Sequence, residues 1–140
     1  MRFTISVGFD GVVAMLDKFP SIGRMMPRVD EFLAWCVARG ICLILDTCRE
    51  DESLSMALEW LEARDLLRYF SYINENSEEK IRYHGYDCRK IDADMYLGVE
   101  YVGLPVRYAR SCKRVYQYVR FDRVKMYICE SEREFYGAHG

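Results

Sequence analysis

The sequence is poor in the residues and patterns that mark several common protein classes. Histidine occurs only twice, as His84 and His139, and no two of the six cysteines stand at C-x2-C spacing. A zinc site wants clustered thiolates or imidazoles, so this pattern argues against one. No apolar run approaches the ~20 residues that a membrane span needs. The apolar stretch near the N-terminus, 3–7, is short and runs into Gly8-Phe9-Asp10-Gly11, which is no secretory leader. With no leader, the cysteines read as reduced small hydrophobes, and the expected location is the cytoplasm. An excess of either charge is missing too: 20 Lys and Arg stand against 22 Asp and Glu, a net charge of −2. That balance argues against a globally basic nucleic-acid binder and leaves room for a local basic patch. Internal repeats and low-complexity tracts are also absent.

What remains is an ordinary globular composition. The chain has 140 residues, of which 51% are hydrophobic and 30% charged. At roughly 100–200 residues per domain this is one domain. Residues 2–7 alternate polar and apolar side chains and predict a strand. Val29, Phe32, Leu33, Cys36 and Val37 recur at i, i+3, i+4, i+7 and i+8 and predict a helix that Gly40 ends. The unbroken apolar run 41–45 predicts a strand buried on both faces. A second helix is expected over 54–64, with Ser53 or Asp51 as its cap, then a short strand within 66–73, a polar loop over 74–80 and a fourth strand in 94–99. Alternating strands and helices imply a parallel sheet covered on both faces. Beyond residue 105, Tyr108, Cys112, Val115 and Val119 suggest a helix, and residues 126–129 suggest a short strand.

In an open parallel sheet, ligands bind at the carboxyl ends of the strands. Those ends carry Gly8-Phe9-Asp10-Gly11, Asp46-Thr47-Cys48-Arg49-Glu50 and Gly98-Val99-Glu100, while Arg89-Lys90 precedes the fourth strand. These segments, with Phe19-Pro20-x-Ile22-Gly23, Pro27, Ala57-Leu58-Glu59-Trp60, Arg89-Lys90-Ile91-x-Ala93-Asp94 and Gly103-Leu104-Pro105, resemble the haloacid dehalogenase superfamily of phosphohydrolases. The likeness is to a small capless branch of bacteria and phages, and it covers residues 1–105. It implies a single-domain, three-layer α/β/α Rossmann-like fold with a parallel sheet and no large cap. Residues 106–140 would form an extension packed on that core as a helix, a short strand or both.

The resemblance also implies a chemistry. In the family the first Asp of Asp-x-Asp-Gly attacks phosphorus, and the second is the acid and base. A Thr or Ser and a Lys hold the phosphoryl oxygens, and acids after the fourth strand hold magnesium. Carried over, the nucleophile position is Gly8 and the acid/base position is Asp10. The phosphate-holding positions are Thr47 and Lys90, with Arg49 as a further anion-binding candidate. The magnesium-binding acids are replaced by Gly98 and Val99. The expectation is therefore a pseudo-phosphatase that needs no cofactor and binds a phosphate-containing small molecule or a protein partner. The alternative is a residual magnesium-dependent phosphohydrolase that uses Asp10, with Asp10 and Glu100 as metal ligands. A further alternative is binding of nucleic acid or a partner through Arg107, Arg110, Lys113, Arg114, Arg120, Arg123 and Lys125, interleaved with Tyr108, Tyr116 and Tyr118. Against it stand the net acidic chain and the lack of an RNA-binding motif, and a solvated basic face accounts for the same residues.

Overall fold

Strand β1, Thr4–Gly8, is buried through Val7, with apolar Ile5 and Val7 on one face and small polar Thr4 and Ser6 on the other. Its neighbour β2, Cys42–Asp46, comes from the unbroken apolar run and is buried through Leu45. The two pair in parallel from Thr4↔Cys42 to Gly8↔Asp46. Strand β3, Tyr72–Ile73, adds to the far side of β2. Strand β4, Met95–Leu97, pairs with the other side of β1. The sheet is therefore parallel throughout, in the order β3-β2-β1-β4. Its connections run to both sides of β1, which makes the carboxyl end of β1 the place where a crevice opens. These coordinates are a computed structural model; they describe residues 1–139, apart from the side chain of His139.

Helices flank the sheet, giving one α/β domain of Rossmann-like type. Helix α1, Val29–Ala38, buries Val29, Phe32, Leu33 and Cys36, the stripe its spacing predicts. Helix α2, Asp51–Ala63, starts three residues earlier than expected. Ser53 closes its first turn: its hydroxyl accepts from the Glu50 N–H at 3.1 Å and donates to the Glu50 carbonyl at 2.8 Å. The expected strand within 66–73 is shorter than its apolar run. A 3-10 turn, Leu67–Tyr69, takes up the first part and only Tyr72–Ile73 pairs.

The loop expected over 74–80 gives way to helix α3, Glu78–His84. Ser77 starts it by accepting from the Lys80 N–H at 3.2 Å, and Gly85, at φ +82°, ends it. No apolar stripe announces this helix, because the side chain it buries is Lys80. That ammonium lies 2.7 Å from Asp94 Oδ1, and Asp94 Oδ2 accepts the Thr4 N–H. The pair ties α3 to the start of β1.

The chain beyond residue 105 also departs from expectation. The helix suggested by Tyr108, Cys112, Val115 and Val119 is an antiparallel hairpin, β5 (Val106–Ser111) and β6 (Arg114–Val119). Cys112 takes φ +56° in its two-residue turn. The spacing misled because β-branched and aromatic residues occupy both faces of a two-stranded ribbon. Residues 126–129, read as a strand, lie inside helix α4, Phe121–His139. Phe121, Val124, Ile128 and Phe135 of α4 belong to the same buried cluster as Phe3, Ile5 and Val7. Phe121 stacks on Phe32 of α1 with ring centroids 4.6 Å apart, and Phe135 meets Phe3 edge-on at 5.5 Å. Full burial of side chains of this size contributes about 1.5–3 kcal/mol each. Buried Glu132 of α4 accepts two hydrogen bonds from Arg39, at 2.8 and 3.0 Å. Among the described residues no helix is long and apolar enough to cross a membrane.

Candidate functional site

The turn after β1 is built on Phe9, whose carbonyl accepts from the N–H groups of Val13 and Ala14, each at 3.0 Å. The Phe9 ring is buried and meets Trp60 of α2 edge-on at 5.4 Å. Gly11, at φ +90°, donates to the Ala14 carbonyl at 2.7 Å. A Cβ there would collide with Val99, so Val99 covers this turn.

Between the two glycines Asp10 is turned toward Arg49. Arg49 Nε lies 2.8 Å from Asp10 Oδ2, and Nη2 lies 2.9 Å from Oδ1. The remaining guanidinium N–H groups point to backbone: Nη1 to the carbonyls of Pro20 (2.9 Å) and Ser53 (3.4 Å), and Nη2 to that of Ser21 (3.3 Å). Five donors meet five acceptors. The guanidinium also lies against the rings of Phe9 and Phe19, and its side chain is only 2% exposed. Arg49 therefore faces the protein and clamps the 19–21 loop to Asp10 and α2. Both Asp10 oxygens are occupied by it.

Gly8 sits at the end of β1 with no side chain, and the space is tight. A Cβ at residue 8 would lie 3.2 Å from the Leu97 carbonyl oxygen and 3.6 Å from Gly98 Cα. At Gly98 the space is already filled. A Cβ there would fall 2.7 Å from Glu100 Oε1 and 2.9 Å from Oε2. The Glu100 carboxylate folds back over Gly98 and takes the place of the acid that the resemblance leads one to look for at residue 98.

Thr47 follows β2. Its N–H donates to Asn74 Oδ1 at 2.8 Å, and its hydroxyl oxygen accepts the Arg49 N–H at 3.1 Å. Lys90 lies in the loop before β4, and Asn76 holds that loop. The Asn76 amide donates to Asp87 Oδ1 and to the carbonyls of Cys88 and Lys90, at 2.9–3.1 Å, while its oxygen accepts the Asp92 N–H at 2.6 Å. Sequence reasoning missed Asn76 and Lys80. Asn76 lies just before α3 and Lys80 within it, and as polar residues both read equally well as part of a solvated loop.

These strand ends enclose an open cleft of about 610 Å³ lined by Asp46, Thr47, Asn74, Arg89, Lys90, Ile91, Tyr96 and Tyr101. It brings Thr47 and Lys90 together and leaves Arg49 outside. Among the described residues no carboxylate oxygen lies within 4 Å of the Arg89 or Lys90 side-chain nitrogens, so both cations stand unpaired at the rim. Asp46 contributes the opposite charge, with Oδ2 accepting from Ser6 Oγ at 3.0 Å. Burial and the nearby carboxylates of Asp46 and Glu100 push the Tyr101 phenol above its ordinary pKa.

Magnesium wants convergent hard oxygens. Among the described residues no three His, Cys, Asp or Glu side chains converge, and Asp10 is held by Arg49. On the hairpin, Tyr116 and Tyr118 are half-buried, with Arg114 and Arg107 over their rings at 5.2 and 4.4 Å, while Tyr108 is 66% exposed.

The chain is similar to the solved structure of a conserved protein from Bacteroides thetaiotaomicron. The identity is 34%, over 74% of this chain and 80% of that one, with a TM-score of 0.62. No protein-family model and no curated protein matches the chain.

Proposed function

We propose, for a chain that belongs to the same family as this conserved Bacteroides protein, a binding role on a phosphohydrolase-like scaffold of the haloacid dehalogenase kind. In this reading the protein takes up a phosphate monoester at the strand ends and does not hydrolyse it. The observation that carries it is the Arg49–Asp10 clamp beside an empty position 8. An aspartyl-phosphate route needs a carboxylate at residue 8 and a free acid at residue 10. Here the first has no side chain and the second accepts two charge-assisted hydrogen bonds. Binding is supported by the unpaired cations Arg89 and Lys90 beside the Thr47 hydroxyl, an arrangement that suits a phosphoryl group. The residual magnesium-dependent phosphohydrolase has less support, since both Asp10 oxygens are engaged.

The test has two arms. Turnover of p-nitrophenyl phosphate, with and without magnesium, is expected to match buffer. Calorimetric titration with inorganic phosphate at low salt is expected to give saturable binding that Lys90→Ala weakens about tenfold. Magnesium-dependent turnover abolished by Asp10→Asn would overturn the non-catalytic reading. Absence of phosphate binding at low salt would overturn the binding role.

A further inference from the structure

The two cations account for part of the cleft lining and leave its two tyrosines, Tyr96 and Tyr101, unexplained. Tyr96 and Tyr101 present rings whose centroids lie 5.5 Å apart at 40° to each other. The Tyr96 ring is fixed in place: its hydroxyl donates to the Ile91 carbonyl at 2.8 Å and accepts the Ala93 N–H at 3.0 Å. Tyr101 is anchored through its backbone N–H, which donates to the Gly98 carbonyl at 3.1 Å, and the residue is left 42% exposed. Asp46 also lines the cleft, and among the described residues its Oδ2 is engaged by Ser6 while Oδ1 has no partner.

We propose that the cleft binds a nucleoside monophosphate, its base stacked on Tyr101 and Tyr96, its phosphate held by Lys90, Arg89 and Thr47, and a sugar hydroxyl or base amine donated to Asp46. This rests on the phosphate-binding reading above and extends it to the rest of the ligand. Aromatic side chains stack on bases with little regard to sequence, because every base has a π-face. A volume of about 610 Å³ lies within the range of small-molecule sites (about 300–1,000 Å³) and leaves room beyond a bare phosphate. The charge balance selects one phosphate over three. Among the described residues two cations line the cleft, and Asp46, with Glu100 close by, would repel further negative charge.

Calorimetric titration of the whole protein with AMP, ribose 5-phosphate, adenosine and ATP tests this. AMP is expected to bind at least tenfold more tightly than ribose 5-phosphate, and more tightly than ATP. Tyr101→Ala should bring AMP down to the level of ribose 5-phosphate while leaving ribose 5-phosphate unchanged. Tyr101→Phe, which keeps the ring, should retain AMP binding. Lys90→Ala should weaken both phosphates. Equal affinities for AMP and ribose 5-phosphate, unaffected by Tyr101→Ala, would overturn the aromatic half and leave phosphate binding standing. Adenosine binding as well as AMP, indifferent to Lys90→Ala, would overturn the monophosphate assignment and the phosphate reading together. Tighter binding of ATP would overturn the selection of one phosphate. Binding of none of the four would overturn both proposals.

Discussion

Arg49 donates to both carboxylate oxygens of Asp10 and to the backbone carbonyls of Pro20, Ser21 and Ser53, so one side chain joins three segments distant in sequence. Removing one partner of a buried pair costs about 3–5 kcal/mol, chiefly because the other charge is left uncompensated. Asp10→Asn is expected near the low end, about 3 kcal/mol, since the Asp10 side chain keeps 33% exposure. Arg49→Lys should also destabilise, because an ammonium cannot reproduce the fork or reach all three carbonyls. Urea denaturation checks both, with Asp17→Asn as control. The Asp17–Arg114 contact is exposed and 3.7 Å long, so its loss should change stability by less than about 1 kcal/mol. A loss of similar size for Asp10→Asn would mean that the clamp is not structural.

Gly8 and Gly98 respond differently to an added side chain. At residue 8 the obstacle is the Leu97 carbonyl oxygen, part of the paired strand, so Gly8→Ala should cost about 1–3 kcal/mol by overpacking. At residue 98 the obstacle is the end of a flexible side chain, the Glu100 carboxylate. Gly98→Ala should therefore cost less, and less again in a Glu100→Ala background. A double-mutant cycle should return a coupling of about 0.5 kcal/mol or more. Strict additivity would show that Glu100 does not fill that space in solution.

The sheet and α1 were readable from their apolar side chains, which run unbroken through β2 and recur with a period in β1 and α1. Ile5 and Val7 alternate with Thr4 and Ser6, and Val29, Phe32, Leu33 and Cys36 follow a helical stripe. Helix α3 was not readable, because what it buries is the Lys80–Asp94 pair, which no apolar pattern encodes. At the site, the positions of Asp10 and Thr47 just after strands, and of Lys90 in the loop before β4, followed from the order of the elements. The orientation of Arg49 did not. A lone arginine after a strand reads equally as an anion ligand or a clamp, and acceptors from residues 10, 20, 21 and 53 decide between them. Glu100 is similar: its turn back over Gly98 is a side-chain placement that sequence spacing does not carry.

The cysteines should divide by burial. Cys48 and Cys112 are exposed, whereas Cys36 and Cys42 are buried. The thiolate is the reactive form, and burial pushes the Cys36 thiol up to about 12 from an ordinary 9.0. Native protein should therefore react quickly with Ellman's reagent at Cys48 and Cys112, and at Cys36 only on unfolding. The folded state keeps the Cys36 proton where the unfolded chain has lost it. This contribution to stability is complete below about pH 9 and is lost as pH rises toward 12. The unfolding free energy should fall over that window, and less steeply in Cys36→Ala. Equal slopes would remove Cys36 as the cause.

Asn76 offers a way to separate the position of Lys90 from its charge. Its buried amide donates to Asp87, Cys88 and Lys90 and accepts from Asp92, so one side chain sets the path of the loop that carries both cleft cations. Asn76→Ala strands those partners and should cost about 1–3 kcal/mol. It should also raise hydrogen exchange at the backbone amides of residues 87–92 and weaken phosphate binding without removing any charge. Asn76→Asp keeps the acceptor for the Asp92 N–H but loses the donors, and it sets a carboxylate beside Asp87, so it should loosen the loop at least as much. Lys90→Ala should do the reverse, abolishing the charge while exchange at 87–92 stays slow. If Asn76→Ala speeds exchange across 87–92 and phosphate affinity is unchanged, the cations act from a mobile loop and the fixed path that Asn76 imposes is irrelevant to binding.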